Sequence, residues 1–297
     1  MNNTKPLVGI LATPYIKNNT SSEVFLKENV LTFLKQNSID YIIIPYNIKK
    51  SDLNKILYKL DGLLFPGSQI GNLYNNKYIK QHFLTQKYIV QKIKKLATNN
   101  ANNNATNNAN NNNIIIPILS ICHGYENMIL IEKNYNLTKK NINSAFINVS
   151  SFNDYKSIPK FKNNNLAKLL KSNFNKTKKL IHNNALAIDP KHRIQNYEII
   201  ATSLDKNNKE FIDIVKHKKY PFFGYQGHPE INNTKLFSPF ISYVKTVFNK
   251  RKLNHKLVTK KKYYNLNLIK IKSRKVSCKK YNLAKTIKHG KCVFYKI

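Results

Sequence analysis

The sequence predicts an α/β fold in which helices cover both faces of a central, mostly parallel β-sheet, giving a three-layer α-β-α sandwich. Short apolar segments alternate with amphipathic segments along the first half of the 297-residue chain, the order expected of strand–helix–strand units. The apolar segments show no polar alternation, so both faces of each strand should be buried. Hydrophobic residues make up 41% of the chain, which is enough for a core of this size.

The first half of the chain supplies four strands and the helices between them. Continuous apolar runs predict the strands at 7–11, 41–46, 62–67 and 114–121. Amphipathic spacing and capping residues predict the helices at 21–37, 51–60, 77–97 and 123–133.

The stretch ATNNANNNATNNANNNN, from 97 to 113, is a low-complexity tract of Asn, Ala and Thr. Such a tract cannot bury a hydrophobic core, so we interpret it as a disordered surface insertion between a helix and the next strand. An insertion there costs little stability, because loop-closure entropy grows slowly with length.

The second half of the chain turns to β patterns and then becomes strongly basic. Weak periodicity over 134–180 is followed by NYEIIATSLD, EFIDIVKH and YPFFGYQGHPE, which predict three strands, and by a closing helix over 235–252. We assign 1–252 to one α/β domain and 253–297 to a basic C-terminal extension, whose final residues KCVFYKI could add a last strand.

Charge is the most unusual feature of the composition. Lys and Arg total 51 against 14 Asp and Glu, a formal net charge of +37, which favours polyanionic partners. The basic residues are spread along the chain without a nucleic-acid-binding motif, so we expect a small polyanionic substrate and no specific nucleic acid. The apolar runs are all too short for a membrane span, and the N-terminus has no secretory pattern, so the expected location is the cytoplasm.

Cys122 lies in PILSICHGYENM, between an apolar run and the predicted start of a helix. A helix N-terminus favours the thiolate, and Gly124 permits a tight strand-to-helix turn, so Cys122 is a candidate nucleophile. A buried core cysteine explains this segment equally well. The cysteines at 122, 278 and 292 form no pair with metal-site spacing, and we predict no metal.

Two further segments carry residue types that suit acyl chemistry. In GYQGHPE, His228 and Glu230 are two residues apart, so in an extended segment their side chains point the same way. A histidine and a carboxylate can serve as a general base and the group that orients it, although a plain strand-end turn also fits. In DGLLFPGS, the N–H groups that follow the strand could stabilise an oxyanion.

Taken in order, the segments FPGS, SICHGYE and GYQGHPE resemble the class I glutamine amidotransferase-like superfamily, and within it the γ-glutamyl hydrolase (peptidase C26) branch. The likeness runs from VGILATPY through the closing helix, excluding the Asn tract and a poorly matching stretch at 134–180. The resemblance implies a flavodoxin-like sandwich with the nucleophile on a strand-to-helix turn.

The resemblance also implies roles for individual residues. Cys122 would be the nucleophile and His228 the general base, with Glu230 orienting His228. The oxyanion hole would be formed by the backbone N–H groups of Gly67, Ser68 and His123.

The substrate-binding residues implied by the resemblance are Glu126, His182 and Tyr125. Glu126 stands where glutaminase domains carry Gln, and His182 in LIHNNAL matches a second histidine of the family. Ser68 and Gly227 depart from the family pattern, in which they would be Gly and Trp. Losing the Trp would widen or loosen the pocket.

These points together predict hydrolysis of γ-glutamyl amides, in the first place folylpoly-γ-glutamates, through a thioester and without a metal or organic cofactor. Alternatives are another γ-glutamyl substrate, a glutaminase subunit of an amidotransferase, and a catalytically degenerate basic binding protein. The sequence leaves open whether the protein forms a homodimer. Related hydrolases are often secreted or lysosomal, which differs from the cytoplasmic location expected here.

Overall fold

The protein is described by a computed structural model over residues 4–17, 20–68, 76–103, 114–192, 194–257, 273–276 and 292–296. The strands are β1 (Leu7–Leu11), β2 (Thr13–Lys17), β3 (Thr20–Lys27), β4 (Asp40–Ile44), β5 (Gly62–Phe65), β6 (Ile118–Ile121), β7 (Ile147–Ser157), β8 (Lys160–Phe161), β9 (Leu180–Ala187), β10 (Tyr197–Leu204), β11 (Glu210–His217), β12 (Phe222–Tyr225), β13 (Ser273–Val276) and β14 (Cys292–Lys296). The α-helices are α1 (Glu28–Gln36), α2 (Lys50–Leu57), α3 (Lys77–Asn103), α4 (His123–Glu132), α5 (Lys139–Ala145), α6 (Asn165–Asn173), α7 (Pro229–Asn232) and α8 (Ser238–Leu257).

Eight strands form the central sheet, in the order β4-β1-β5-β6-β12-β11-β10-β8. The pairs from β4 to β12 are parallel, and the pairs from β12 to β8 are antiparallel. The strands in the middle of the sheet are fully buried, as the four-residue run of β6 shows. This confirms the prediction of a mostly parallel sheet built from continuous apolar runs.

Two hydrophobic clusters lie on opposite faces of this sheet. One packs α1, α6 and α8 against it, with Leu34 and Phe240 among the buried side chains. The other packs α2, α3 and α4 against it, with Leu53 and Met128 among them. The structure therefore has the three layers that the sequence predicts.

A second sheet has the strand order β13-β14-β3-β2. Our prediction of helix over residues 21–27 is wrong, because this segment pairs as β3 with β2 on one side and with β14 on the other. The helix begins only at Glu28. In the β3–β14 pair, Leu26 lies opposite Val293 and Lys27 lies opposite Cys292, so a strand within KCVFYKI borders the N-terminal part of the chain.

The helix α3 is longer than predicted and ends at Asn103. The prediction of a disordered insertion is therefore wrong for residues 97–103, which are helical, because extending an existing helix costs far less than starting one and Ala favours it. Residues 104–113 lie outside the described residues. The weakly periodic stretch 134–180 contains α5, β7, β8 and α6. Within the described ranges, no helix combines the length and apolar character needed to cross a membrane.

Candidate active site

Cys122 lies at the turn between β6 and α4, at the N-terminus of the helix. Its φ of 50° and ψ of −115° are rarely adopted by residues other than glycine. The N–H of Cys122 donates to the Tyr225 carbonyl over 2.7 Å, and a Cβ at Gly124 would collide with the Phe65 backbone. The neighbouring strand ends therefore hold a strained backbone in place, a situation that is common at functional sites.

A histidine–carboxylate pair follows β12. His228 Nδ1 is 2.8 Å from Glu230 Oε1, and both side chains are buried. We assign the Nδ1 proton to this hydrogen bond, which leaves Nε2 as the basic nitrogen. The segment is not extended, contrary to the prediction. Pro229 begins α7, with His228 as its N-cap, and this helical turn brings the two side chains together.

Gly67 lies between Cys122 and His228. A Cβ at Gly67 would be 2.9 Å from His228 Cε1 and 3.1 Å from Cys122 Cβ, closer than an ordinary contact between carbon atoms. Any side chain at this position would therefore push His228 or Cys122 out of place. Because these three residues follow β5, β6 and β12, which are neighbours in the sheet, they meet at its carboxyl edge, where α/β proteins bind ligands.

The three residues predicted to supply oxyanion donors lie around the same edge. The backbone N–H of His123 hydrogen-bonds to the Cys122 thiol. Gly67 is buried and Ser68 is half-buried, directly after β5. That the N–H groups of Gly67 and Ser68 point at an oxyanion stays a prediction.

Electrostatics around Cys122 keep its thiol protonated. Burial raises the thiol pKa and the Glu126 carboxylate raises it further, whereas Lys27 and the His123 N–H lower it, and the net shift is upward. A nucleophilic thiolate at this position therefore needs a base to take the proton.

The Glu230 carboxyl is shifted in the opposite direction. Burial alone would raise its pKa, but the charge of His228, the hydrogen bond to His228 and the charge of Lys27 outweigh burial, so the Glu230 pKa lies below its usual range. Glu230 is therefore ionised at neutral pH and can hold the imidazole in one orientation.

Lys27 is a site residue that the sequence did not reveal. Its Nζ lies 3.3 Å from His228 Nδ1 and 3.8 Å from Glu230 Oε1. It is the last residue of β3, in a segment whose spacing predicts a helix. With 51 Lys and Arg in the chain, sequence offered no signal to single it out.

Glu126 lies one helical turn after Cys122. Its Oε1 accepts a hydrogen bond from Gln226 Nε2 at 3.0 Å, and its Oε2 is 3.6 Å from His123 Nδ1. Glu126 and His123 help to line a mainly apolar pocket, with Leu130 among the other lining residues. Glu126 thus borders both the thiol and an open space. Sequence reasoning missed Gln226, although it stands in the GYQGHPE segment.

The structure contradicts the prediction that Tyr125 binds substrate. Its side chain is fully buried in the core and packs against Gly224 on β12. The helix therefore turns Tyr125 into the sheet, whereas Glu126, the next residue, lines the pocket. The absence of a side chain at Gly224 is what makes room for this ring.

His182 lies beside the site but is closed off from solvent. Its Nε2 is 2.8 Å from Ser157 Oγ and 3.5 Å from Asp213 Oδ2. A Cβ at Gly227 would lie 2.8 Å from Leu180 Cδ2 and 2.9 Å from His182 Cε1. The prediction that Gly227 widens the pocket is therefore wrong, because Leu180 and His182 occupy the space next to Gly227.

Asp213 is another residue that sequence reasoning missed. Its Oδ1 accepts from the Gly227 N–H at 3.1 Å, and its Oδ2 accepts from Ser203 Oγ at 2.5 Å. Its carbonyl accepts from the Gln226 N–H. Asp213 therefore fixes the two residues that precede His228. In the described part of the chain, acidic, histidine and cysteine side chains form no group of three or more that could hold a metal ion.

Comparison with known proteins gives one family match. The family model described as Peptidase C26 matches residues 6–230. Gamma-glutamyl hydrolase 1 of Arabidopsis thaliana is 27% identical over 250 residues, covering 77% of this chain and 64% of that protein. Gamma-glutamyl hydrolase B of Dictyostelium discoideum is 23% identical over 244 residues, covering 77% of this chain and 63% of that protein. The chain therefore spans less than two thirds of the length of either relative.

Among solved structures, a putative GMP synthase subunit from Thermoplasma acidophilum superposes with a TM-score of 0.53 at 15% identity, over 84% of this chain and 100% of that one. At this identity the likeness establishes the fold, and it agrees with the predicted glutamine amidotransferase-like architecture.

Proposed function

Because its residues 6–230 match the family model, the chain belongs to the Peptidase C26 family, and we propose that it hydrolyses γ-glutamyl amide bonds with Cys122 as nucleophile. The observation that carries the proposal is the meeting of Cys122, Gly67 and the His228–Glu230 pair at one edge of the sheet. A thiol on a strained turn beside an oriented imidazole is suited to acyl transfer.

In the proposed reaction, His228 Nε2 takes the thiol proton and the thiolate attacks the γ-carbonyl carbon. The C–N bond then breaks as His228 returns the proton to the leaving amine, and a thioester of Cys122 forms. A water molecule, deprotonated by His228, attacks the thioester carbon. The C–S bond then breaks, the γ-glutamyl carboxylate is released, and His228 returns the proton to the sulfur of Cys122. Backbone N–H groups near His123 and Gly67 would stabilise each oxyanion.

For the substrate, we propose a poly-γ-glutamylated compound, folylpoly-γ-glutamate in the first place. Such chains carry a carboxylate on every glutamate, and the net charge of +37 would draw them to the protein surface. Glu126, in place of the Gln of glutaminase domains, supports hydrolysis over ammonia transfer.

The test compares the wild-type chain with Cys122→Ala and Cys122→Ser on three substrates: an oligo-γ-glutamyl folate, a γ-glutamyl amine and free glutamine. We expect the wild type to release glutamate or shorter folates and both variants to be inactive, while all three proteins unfold at similar temperatures. Equal activity in the Cys122 variants would refute the mechanism.

The same assay separates the alternatives. Cleavage of the γ-glutamyl amine alone would indicate that the substrate is a γ-glutamyl compound other than a folate. Ammonia release from glutamine only after adding a synthase partner would indicate a glutaminase subunit. No cleavage at all, together with salt-sensitive binding of nucleic acid, would refute hydrolysis and favour a binding protein.

A further inference from the structure

Lys27 contacts the catalytic pair from outside the central sheet. It ends β3, in the sheet formed by β13, β14, β3 and β2, while His228 and Glu230 follow β12. The side chain of Lys27 is 16% exposed and that of Glu230 is 1% exposed. A cation with this little exposure, beside a buried carboxylate, is screened far less than one on the surface.

The hydrogen-bonding capacity of the groups decides what Lys27 can bind. An ammonium group has only donors, and Nδ1 of His228 already donates to Glu230. Lys27 Nζ, 3.3 Å from that nitrogen, therefore cannot hydrogen-bond to it and is directed to Glu230 Oε1, 3.8 Å away. Lys27 and His228 thus approach the same carboxylate oxygen.

The charges facing Cys122 come from three elements among the described residues. Glu126 on α4 and Glu230 on α7 are carboxylates, Lys27 on β3 is a cation, and His228 becomes a cation when it takes the thiol proton. A thiolate formed without Lys27 would make three negative charges against one positive charge. With Lys27 there are two positive charges, so the imbalance is halved.

We propose that Lys27 is a positioning residue whose ammonium group offsets the carboxylates of Glu230 and Glu126 and so permits the thiolate of Cys122 to form. The geometry behind it is the contact of Lys27 with His228 and Glu230, together with the position of His228 next to Cys122 across Gly67. Its consequence for turnover rests on the proposed hydrolase function. In agreement with it, burial and Glu126 raise the pKa of Cys122, whereas Lys27 lowers it.

The experiment measures how fast iodoacetamide alkylates Cys122 between about pH 6 and 10, because only the thiolate reacts. The mass of the peptide that contains Cys122 separates it from the other cysteines. The proteins are the wild type, Lys27→Met, Lys27→Arg and Lys245→Met. Lys245 is an exposed residue of α8, so its replacement removes the same charge far from the catalytic pair.

We expect Lys27→Met to be alkylated about tenfold more slowly at pH 7, with the rise in rate displaced to higher pH, since one nearby charge shifts a pKa by about one unit or more. Lys27→Arg should restore most of the rate, and Lys245→Met should match the wild type. If the Met variant does not fold, as judged by its melting curve, Lys27→Gln replaces it.

Equal alkylation of wild type and Lys27→Met, or equal slowing in Lys245→Met, would overturn the inference. The proposed function fails separately, because alkylation needs no substrate. A displaced alkylation profile in a protein that cleaves no γ-glutamyl compound would reject hydrolysis and leave the role of Lys27 standing.

Discussion

Gly67 offers a direct test of the site geometry, because its missing side chain separates the nucleophile from the base. In Gly67→Ala the new methyl group would start 2.9 Å from His228 Cε1 and 3.1 Å from Cys122 Cβ. Carbon atoms in contact prefer about 3.5–4.0 Å, so one of the two side chains must move by roughly 0.5–1 Å.

A displacement of this size between reacting groups lowers rates by up to about a hundredfold. We therefore expect kcat/KM for a γ-glutamyl substrate to fall about 10- to 100-fold in Gly67→Ala. Overpacking should also destabilise the fold by about 1–3 kcal/mol. The assay is steady-state hydrolysis, with denaturant unfolding measured on the same preparations.

Gly62→Ala is the matched control, since Gly62 is on the strand that leads to Gly67 and its added Cβ would meet Val244 Cγ2 of α8 at 2.6 Å. This variant should lose comparable stability and keep its kcat/KM. If Gly67→Ala retained wild-type kcat/KM, or if both variants lost activity equally, Gly67 would not set the distance between Cys122 and His228.

Three further predictions concern the surroundings of the site. Burial and the charge of His228 lower the pKa of His182 from 6.5, although the charge of Asp213 opposes the shift. The neutral ring thus stabilises the fold above pH 6.5, and this stability is lost as the pH falls. The unfolding free energy of the wild type should therefore approach that of His182→Gln in acid, and parallel pH curves for the two proteins would contradict this. Gly227→Trp should lower the melting temperature, because Leu180 fills the space, and Leu180→Ala should recover part of the loss; a fully stable single variant would disprove the packing argument. Glu126→Gln should speed alkylation of Cys122 at pH 8, because the Glu126 charge raises the thiol pKa, and an unchanged rate would refute that.

The sheet and the catalytic motifs could be predicted because their signals are local in sequence. Continuous apolar runs distinguish buried parallel strands, and turns directly after β5, β6 and β12 place Gly67, Cys122 and His228 at one edge. The His228–Glu230 contact was also predictable from its spacing, although α7, rather than an extended segment, produces it.

The remaining features depend on contacts between distant parts of the chain. The segment that forms β3 has amphipathic spacing, and only pairing with β2 and β14 makes it a strand. Lys27 reaches the site because of that pairing. The space at Gly227 is filled by Leu180 on another strand, a compensation that one-dimensional comparison with a family pattern does not reveal.

The inward orientation of Tyr125 is an intermediate case. The family resemblance implied a role in binding for this residue next to Glu126, but the ring packs against Gly224 in the core. The side chains of adjacent residues on a helix point in directions about a quarter-turn or more apart. Closeness in sequence is therefore poor evidence that two side chains lie on the same surface.

The pairing of Leu26 with Val293 has a consequence for the order of assembly during synthesis. The strands β1, β4 and β5 can pair early, and so can β2 and β3, because they are close in sequence. The pairing of β3 with β14 must wait until the ribosome has made residues 292–296. At about 5–20 residues per second this delay lasts at least ten seconds or so. The strand that carries Lys27 therefore gains its second neighbour only after the strands that lead to Cys122 and His228 have been made.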